Sequence, residues 1–170
     1  MFCDIDKFKL INDSYGHEVG NLILREIAKT MKGSVKDTWM VFRYGGEEFV
    51  VIMCDYTCEK TLIEAEKVRK SIVKNQELQK YADYFPITIS IGIASYPNHA
   101  LDSEGLIKKS DTAMYYSKQS GRNQCNIYNN NNMKVFLKDG TKEDDKELKM
   151  NSVLALAKAV DAKEDRKSVV

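Results

Sequence analysis

Length, composition and charge exclude several classes of protein. The chain has 170 residues, of which 43% are hydrophobic, which suits one globular domain with a core plus an appendage. Its 26 basic and 25 acidic residues leave a net charge of +1, which argues against a nucleic-acid surface and against a polybasic membrane anchor. The sequence contains no signal peptide and no membrane span, so we expect a cytoplasmic domain without membrane contact, and a membrane-anchored parent protein stays open.

The four cysteines predict free thiols. Cys3, Cys54, Cys58 and Cys125 form no CxxC pair and lie mostly in apolar runs. Buried thiols are therefore favoured over a disulfide framework or a zinc site.

The chain opens with acidic residues at the end of a predicted strand. Met1 to Cys3 reads as the end of a buried strand that leads directly into Asp4-Ile5-Asp6. Alternation along a strand places Asp4 and Asp6 on one face and Ile5 on the other. Taken alone, this pair is more typical of a strand-ending turn than of a metal site.

A second carboxylate pair follows a predicted hairpin. Apolar residues at helical spacing between Gly20 and Met31 predict a helix, and segments 39–42 and 49–53 predict two strands around Gly45-Gly46. Consecutive glycines permit the positive φ of a tight turn, and two glutamates, Glu47 and Glu48, follow. If this strand neighbours the first, Asp4 and Glu47 can share a hard cation such as Mg²⁺, which takes oxygen ligands.

The rest of the first 128 residues alternates between helical and strand patterns. A second helix is predicted over residues 62–73, and strict alternation of isoleucine over residues 87–93 predicts a strand. A third helix is expected from Glu104 to Ser120, with Ser103 as a possible cap and Gly121 as its stop, and a short strand follows at residues 124–128. The pattern predicts an α/β (α+β) sandwich with helices covering the sheet.

The sequence changes character after residue 128. Four consecutive asparagines and the charged run at residues 142–149 predict a solvated linker over residues 129–147. Apolar positions in residues 148–170 then predict another helix.

Three ordered motifs carry a family resemblance. They are residues 4–17 with Gly20, the segment Arg43 to Phe49 that contains Gly-Gly-Glu-Glu-Phe, and residues 117–123. Together they resemble the GGDEF domain of bacterial diguanylate cyclases over residues 1–128. The resemblance implies a mostly antiparallel central sheet flanked by helices, similar to nucleotide-cyclase and polymerase palm domains.

The resemblance also implies a chemistry, the condensation of two GTP molecules into cyclic di-GMP with release of two pyrophosphates. Asp4, the backbone carbonyl of Ile5, and Glu47 would hold Mg²⁺, with Mn²⁺ as the alternative. Glu48 would be a further ligand or a proton acceptor, and which glutamate acts as the base stays open. Lys9 would stabilise charge that develops in the transition state.

Substrate contacts follow from the same resemblance. The backbone amides around Lys7 and Phe8 would cradle the β- and γ-phosphates, and Lys118 and Arg122 would add positive charge there. Without substrate, these two cations would still stabilise the end of their helix. His17 is expected in a loop or at a helix cap near the base. Because each half-site binds one GTP, turnover would require a homodimer.

Guanine recognition departs from the family pattern. Asn12 matches the family residue that reads the base, but Asn21 stands where an aspartate is typical. A carboxylate accepts from two guanine N–H groups, whereas an amide has one acceptor oxygen. Loss of one such bond costs about 1.5 to 3 kcal/mol, so Asn21 predicts either a higher KM for GTP or tolerance of ATP.

A second departure concerns feedback. Many cyclases carry an Arg-x-x-Asp site that binds product, and the matching positions here are Lys36 and Trp39. We predict no product inhibition through that site.

Both ends of the sequence suggest a fragment of a longer signalling protein with sensory domains. The family's helical segment before the first strand does not precede Met1, and residues 155–163 are similar to the first helix of HD-GYP phosphodiesterase domains. The HD and GYP motifs themselves are absent from the sequence. Two functions therefore stay open, an active cyclase and a catalytically silent GTP-binding module that regulates an attached phosphodiesterase.

Overall fold

The fold is a five-stranded sheet covered by helices, seen in a computed structural model that describes residues 1–83 and 85–133. The elements in chain order are β1 (Phe2–Ile5), α1 (Phe8–Ser34), β2 (Met40–Gly45), β3 (Glu48–Ile52), α2 (Cys58–Lys74), α3 (Gln76–Gln79), β4 (Ile89–Ile93), α4 (Ser103–Gln119), β5 (Cys125–Ile127) and α5 (Asn130–Met133). The strand order is β2-β3-β1-β4-β5, and only the β4–β5 pair is parallel. The predicted sandwich with a mostly antiparallel sheet is confirmed.

Alternation along β1 and β4 separates the two faces of the sheet. Odd-numbered residues such as Ile5 and Ile91 belong to the main hydrophobic core with α1 and α2. The opposite face of β4 is buried as well, because Gly92 lies directly against the backbone of α4. A Cβ atom there would overlap the carbonyl oxygen of Ser110, so α4 packs on β4 through a contact that only glycine allows.

Local signals explain where the helices begin and bend. Thr57 caps α2 by accepting from the backbone N–H of Lys60. The cap of α4 is Asp102, whose Oδ1 accepts from Gly105 N at 2.6 Å, so the expectation of a Ser103 cap is corrected by one residue. Inside α1, Gly16 has φ 82° and ψ 162°, which divides the element into two helical pieces.

The hairpin is formed as predicted. β2 and β3 pair antiparallel, Gly46 has φ 37°, and Glu47 lies in the turn immediately before Glu48 opens β3. Trp39 precedes β2 and is buried against Tyr56, with ring centroids 4.9 Å apart.

Other expectations meet the structure in part. The four cysteines are free, and Cys3 and Cys58 are buried while Cys54 is exposed. His99 is partly buried, because the loop before α4 folds back and the N–H of Ser95 donates to its Nδ1 at 3.0 Å.

The C-terminal predictions lie mostly beyond the described part. Asn130–Met133 form a single helical turn with Met133 buried, although the sequence predicted a solvated linker from residue 129. The remainder of that linker and the predicted helix over 148–170 lie outside the described residues. No helix in the described part is both long and apolar enough to cross a membrane.

Candidate active site

Asp4 lies near the two glutamates of the hairpin where β1 and β3 pair. Asp4 stands directly opposite Glu48 in the antiparallel register, and the N–H of Ile5 donates to the carbonyl oxygen of Glu47 at 3.2 Å. The hairpin turn therefore brings both glutamates to the end of the strand that carries Asp4. The adjacency that the sequence could only suppose is present.

Asp4 is buried beside a cation. Its side chain is 5% exposed, and its Oδ1 lies 2.7 Å from Nζ of Lys118, in the last turn of α4. Burial raises the pKa of Asp4 to about 7; the Lys118 ammonium opposes this shift, and the charges of Glu47 and Glu48 add to it. The site concentrates negative charge that one lysine only partly neutralises.

The donor set fits a divalent cation. Oδ1 of Asp4 is buried, and its close contact within the described residues is the ion pair with Nζ of Lys118. No cluster of three or more His, Cys, Asp or Glu side chains suited to a metal occurs in residues 1–83 and 85–133. A site with fewer protein ligands, such as the carboxylates of Asp4 and Glu47 with the carbonyl of Ile5, can still suit Mg²⁺. This ion usually keeps several waters and also binds substrate phosphates.

The start of α1 is suited to phosphate. Lys7 precedes Phe8 in a left-handed conformation, with φ 57° and ψ 28°, and provides no side-chain cap to the helix. The N-terminal amides of a helix without such a cap bind anions readily, and here the first piece of α1, before Gly16, presents them. The Lys7 ammonium lies over the Phe85 ring, 5.1 Å from its centroid, while Lys9 is exposed on the first turn.

The turn after α4 carries the second predicted cation. Gly121, Arg122 and Asn123 all have positive φ, at 116°, 64° and 47°. The Asn123 N–H donates to Oδ2 of Asp6 at 3.0 Å. This bond and the Lys118–Asp4 pair bring the end of α4 and its turn to the end of β1, which unites the two motifs.

A cleft lies beside Asn21, one of the residues expected to read the base. It has a volume of about 490 Å³ and runs between α1 and the β2–β3 hairpin, with Asn21, Leu24 and Phe49 in its wall. The Asn12 side chain lies over Gly20, where a Cβ atom would overlap its Oδ1, and Asn21 follows Gly20 directly in the chain. His17 is exposed directly after the Gly16 break.

Comparison with known proteins assigns this arrangement to a family. Residues 1–124 match the family described as "Diguanylate cyclase, GGDEF domain". The chain belongs to the GGDEF family. It is 37% identical over 131 residues to diguanylate cyclase A of Treponema denticola, an alignment that covers 77% of this chain and 35% of that one.

Solved GGDEF structures have the same fold. The GGDEF domain of PA1120 from Pseudomonas aeruginosa matches with a TM-score of 0.70 and 32% identity, over 75% of this chain and 80% of that one. The active GGEEF domain of a Vibrio cholerae diguanylate cyclase matches with a TM-score of 0.68 and 32% identity, over the same shares. GGDEF cyclases generally use a divalent metal, which agrees with the donor set around Asp4.

The GGDEF match covers only part of its relatives. The chain spans about a third of the length of the Treponema cyclase, 35% of it. The activity of the whole protein is therefore a proposal, while the GGDEF fold and family are established for residues 1–124.

Asp6 is the residue of this GGDEF site that sequence reasoning missed. Its carboxylate accepts from the hydroxyls of Thr88 at 2.6 Å and Ser90 at 2.7 Å, besides the Asn123 N–H. Protein donors therefore occupy it on every side, although it shares a sheet face with Asp4. The sequence signal that could have predicted this role is the pair of hydroxyls of Thr88 and Ser90, which lie two residues apart on one face of the strand segment.

The feedback positions of this GGDEF domain also have another arrangement. Nζ of Lys36 lies 5.9 Å from the ring centroid of Trp39 and 5.2 Å from that of Tyr56. Lys36 lies over these two aromatic rings, and the position where the family has an aspartate is occupied by Trp39. The absence of product inhibition through this site stays a prediction.

Proposed function

We propose that the protein is a diguanylate cyclase that condenses two GTP molecules into cyclic di-GMP and two pyrophosphates. The observation that carries the proposal is the pairing of Asp4 with Lys118 at 2.7 Å beside Glu47 and Glu48. One place in the fold would thereby provide carboxylates to a cation and an ammonium to a triphosphate. Family membership supports the same reaction.

Each step of the reaction forms one bond and breaks one. The 3′-hydroxyl oxygen of one GTP attacks the α-phosphorus of the other, the bond from that phosphorus to the β-phosphate bridging oxygen breaks, and pyrophosphate leaves. The hydroxyl proton passes to a carboxylate, for which Glu47 and Glu48 are the candidates. In the second step the nucleotides exchange roles: the 3′-hydroxyl of the other nucleotide attacks the remaining α-phosphorus, the second pyrophosphate leaves, and the ring closes.

The divalent cation would be held by the carboxylates of Asp4 and Glu47 and by the carbonyl of Ile5. It would neutralise charge on the triphosphate, and Mg²⁺ suits these oxygen ligands, with Mn²⁺ as a substitute. Lys118 would exchange its contact with Asp4 for a contact with phosphate when the cation binds. The α1 amides near Phe8 would bind the same phosphates.

Two further cations would act on the triphosphate. Arg122 is exposed in the turn after α4 and can grip phosphate with two parallel hydrogen bonds. Lys9 is exposed on the first turn of α1, where it would stabilise charge that develops at the reacting phosphorus.

The base would occupy the cleft beside Asn21. Its volume of about 490 Å³ falls in the range of roughly 300–1,000 Å³ that is typical of small-molecule sites. Asn12 and Asn21 would hydrogen-bond the guanine edge, with His17 nearby. Because Asn21 offers one acceptor where a carboxylate offers two, we expect weaker preference for guanine over adenine than an aspartate would give.

Catalysis would need two copies of the domain. One site holds one GTP, and the attacking hydroxyl belongs to the nucleotide on the other copy. We therefore expect specific activity to fall on dilution and to recover when the protein is concentrated.

The test is identification of the product. The protein is incubated with Mg²⁺ and GTP, ATP or both, and the products are separated by mass, with Glu47→Ala as the control. Cyclic di-GMP that depends on Glu47 supports the cyclase, and a mixed or adenine dinucleotide assigns the relaxed specificity to Asn21. If a dimeric, GTP-bound protein makes no dinucleotide, the proposal fails.

A further inference from the structure

Asp6 connects three separate parts of the chain. The side chain is 3% exposed, Oδ1 accepts from the Ser90 hydroxyl, and Oδ2 accepts from the Thr88 hydroxyl and the Asn123 N–H, at 2.7, 2.6 and 3.0 Å. Two of these donors lie on the segment that forms β4 and the third lies in the turn after α4. A carboxylate engaged in this way is rigid and does not serve as a free ligand.

The turn that Asp6 reaches has an unusual backbone. Arg122 and Asn123 are consecutive left-handed residues without being glycine, at φ 64° and 47°. Left-handed backbone costs an arginine about 1–2 kcal/mol and an asparagine less, so surrounding contacts must hold Arg122 there. The Arg122 N–H donates to the carbonyl of Ser117 at 3.0 Å, and Asp6 holds the next amide.

Arg69 holds the same turn from the side of α2. Its Nη1 donates to Oδ1 of Asn123 at 2.7 Å, and its Nε and Nη2 donate to Glu66, which fixes the guanidinium. Asn123 is thus held by Asp6 at its main chain and by Arg69 at its side chain. The neighbouring Arg122 is exposed, and its guanidinium makes no hydrogen bond or ion pair within the described residues.

We propose that Asp6 is a positioning residue that fixes the direction of Arg122 toward the nucleotide's β- and γ-phosphates. The inference rests on the proposed function, because it takes GTP as the ligand. Asp6 lies two residues after Asp4 and bonds the turn that contains Arg122. It therefore connects the strand end that would hold the cation to the turn that would hold the phosphates. The carboxylate itself does not touch the nucleotide.

The test measures binding without turnover. Affinities for 3′-deoxy-GTP and 3′-deoxy-GMP, which lack the attacking hydroxyl, are measured by calorimetry in Mg²⁺, and their ratio reports on the terminal phosphates. Arg122→Ala should lower this ratio about tenfold or more, the effect of one lost charge-assisted contact. Asp6→Ala should lower it by a similar factor, and the double variant should lower it no further than Arg122→Ala.

Two further variants separate positioning from general stability. Asp6→Asn should restore most of the ratio, because its amide oxygen still accepts from Asn123 while its NH₂ group faces the Ser90 hydroxyl, which can accept. Ser90→Ala is the matched control, since it removes a donor to Asp6 but leaves the Asn123 bond. It should lower the melting temperature and keep the ratio.

The contrary outcomes are distinct. An unchanged ratio in Asp6→Ala, or a double variant in which the two losses add, overturns the positioning role. If Asp6→Ala does not fold, Asp6→Ser is measured instead, and an unchanged ratio there also overturns it. The predicted pattern of ratios in a protein that makes no cyclic di-GMP would refute the proposed function and leave this inference intact.

Discussion

Nζ of Lys118 lies 2.7 Å from Oδ1 of Asp4, and this contact joins the end of α4 to the end of β1. The ammonium expected on the triphosphate therefore contacts the carboxylate expected on the cation. The two groups come from residues that are 114 positions apart in the sequence.

Replacement of Lys118 tests its second role. Lys118→Met should raise the KM for GTP about tenfold or more, because the triphosphate loses a charge-assisted contact worth roughly 1.5–3 kcal/mol. Lys118→Arg should retain most of the affinity. The KM is measured from initial rates across GTP concentrations. An unchanged KM in Lys118→Met would show that Lys118 does not contact the triphosphate.

The metal-free protein should lose stability as the pH rises toward 7. Burial raises the pKa of Asp4 from 3.8 to about 7, so between these values the folded state binds more protons than the unfolded state. Stability contributed by the protonated carboxyl is present below the unfolded pKa and is lost as pH rises through the folded pKa.

Chemical denaturation in EDTA measures this effect. The Asp4→Asn variant cannot ionise at this position. Its free energy of unfolding should therefore rise relative to that of the wild type as the pH increases from about 4 to about 7. Parallel curves for the two proteins would show that Asp4 is not the group that titrates.

Gly20→Ala should weaken base recognition more than folding. The added methyl group would overlap Oδ1 of Asn12 and would lie 3.2 Å from Cζ of Phe8. The Asn12 side chain can rotate away, which removes its amide from the base site at small cost in stability. Affinity for guanosine should fall while the melting temperature changes little, and an unaltered guanosine affinity would argue against Asn12 as a base contact.

Gly92→Ala should destabilise the fold. Its methyl group would overlap the Ser110 carbonyl and the Met114 amide, both backbone atoms of α4, at a cost of about 1–3 kcal/mol or more. Gly33→Ala is the control, because a Cβ atom there meets nothing within 4 Å, and alanine favours a helix by about 0.5–1 kcal/mol. Urea denaturation should give opposite signs for the two variants; equal effects would contradict the close packing of α4.

Periodicity and motif spacing were sufficient for much of the fold. The isoleucines before Ala94 predicted β4, and the double glycine predicted the β2–β3 hairpin, because both signals are local. The strand order was not readable from residues, since no local pattern records that β1 pairs with both β3 and β4.

The candidate site was predictable only where a motif marked it. The motifs assign Asp4 and Glu47 a role but give none to Asp6, although it stands in the same motif as Asp4. Asp6 and Arg69 act through contacts with Asn123, which lies more than fifty positions from each of them in the sequence. The capping role of Asp102 was missed because Asp102 and Ser103 are both good caps, and the geometry of the loop decides between them.

The stoichiometry of the reaction with GTP tests most directly whether the protein is a diguanylate cyclase. The wild-type protein with Mg²⁺ should release two pyrophosphates for each cyclic di-GMP formed, and Glu47→Ala should release neither. Cyclic di-GMP in that ratio would support the cyclase and its site together. Pyrophosphate without cyclic dinucleotide, or equal products from Glu47→Ala, would contradict the account.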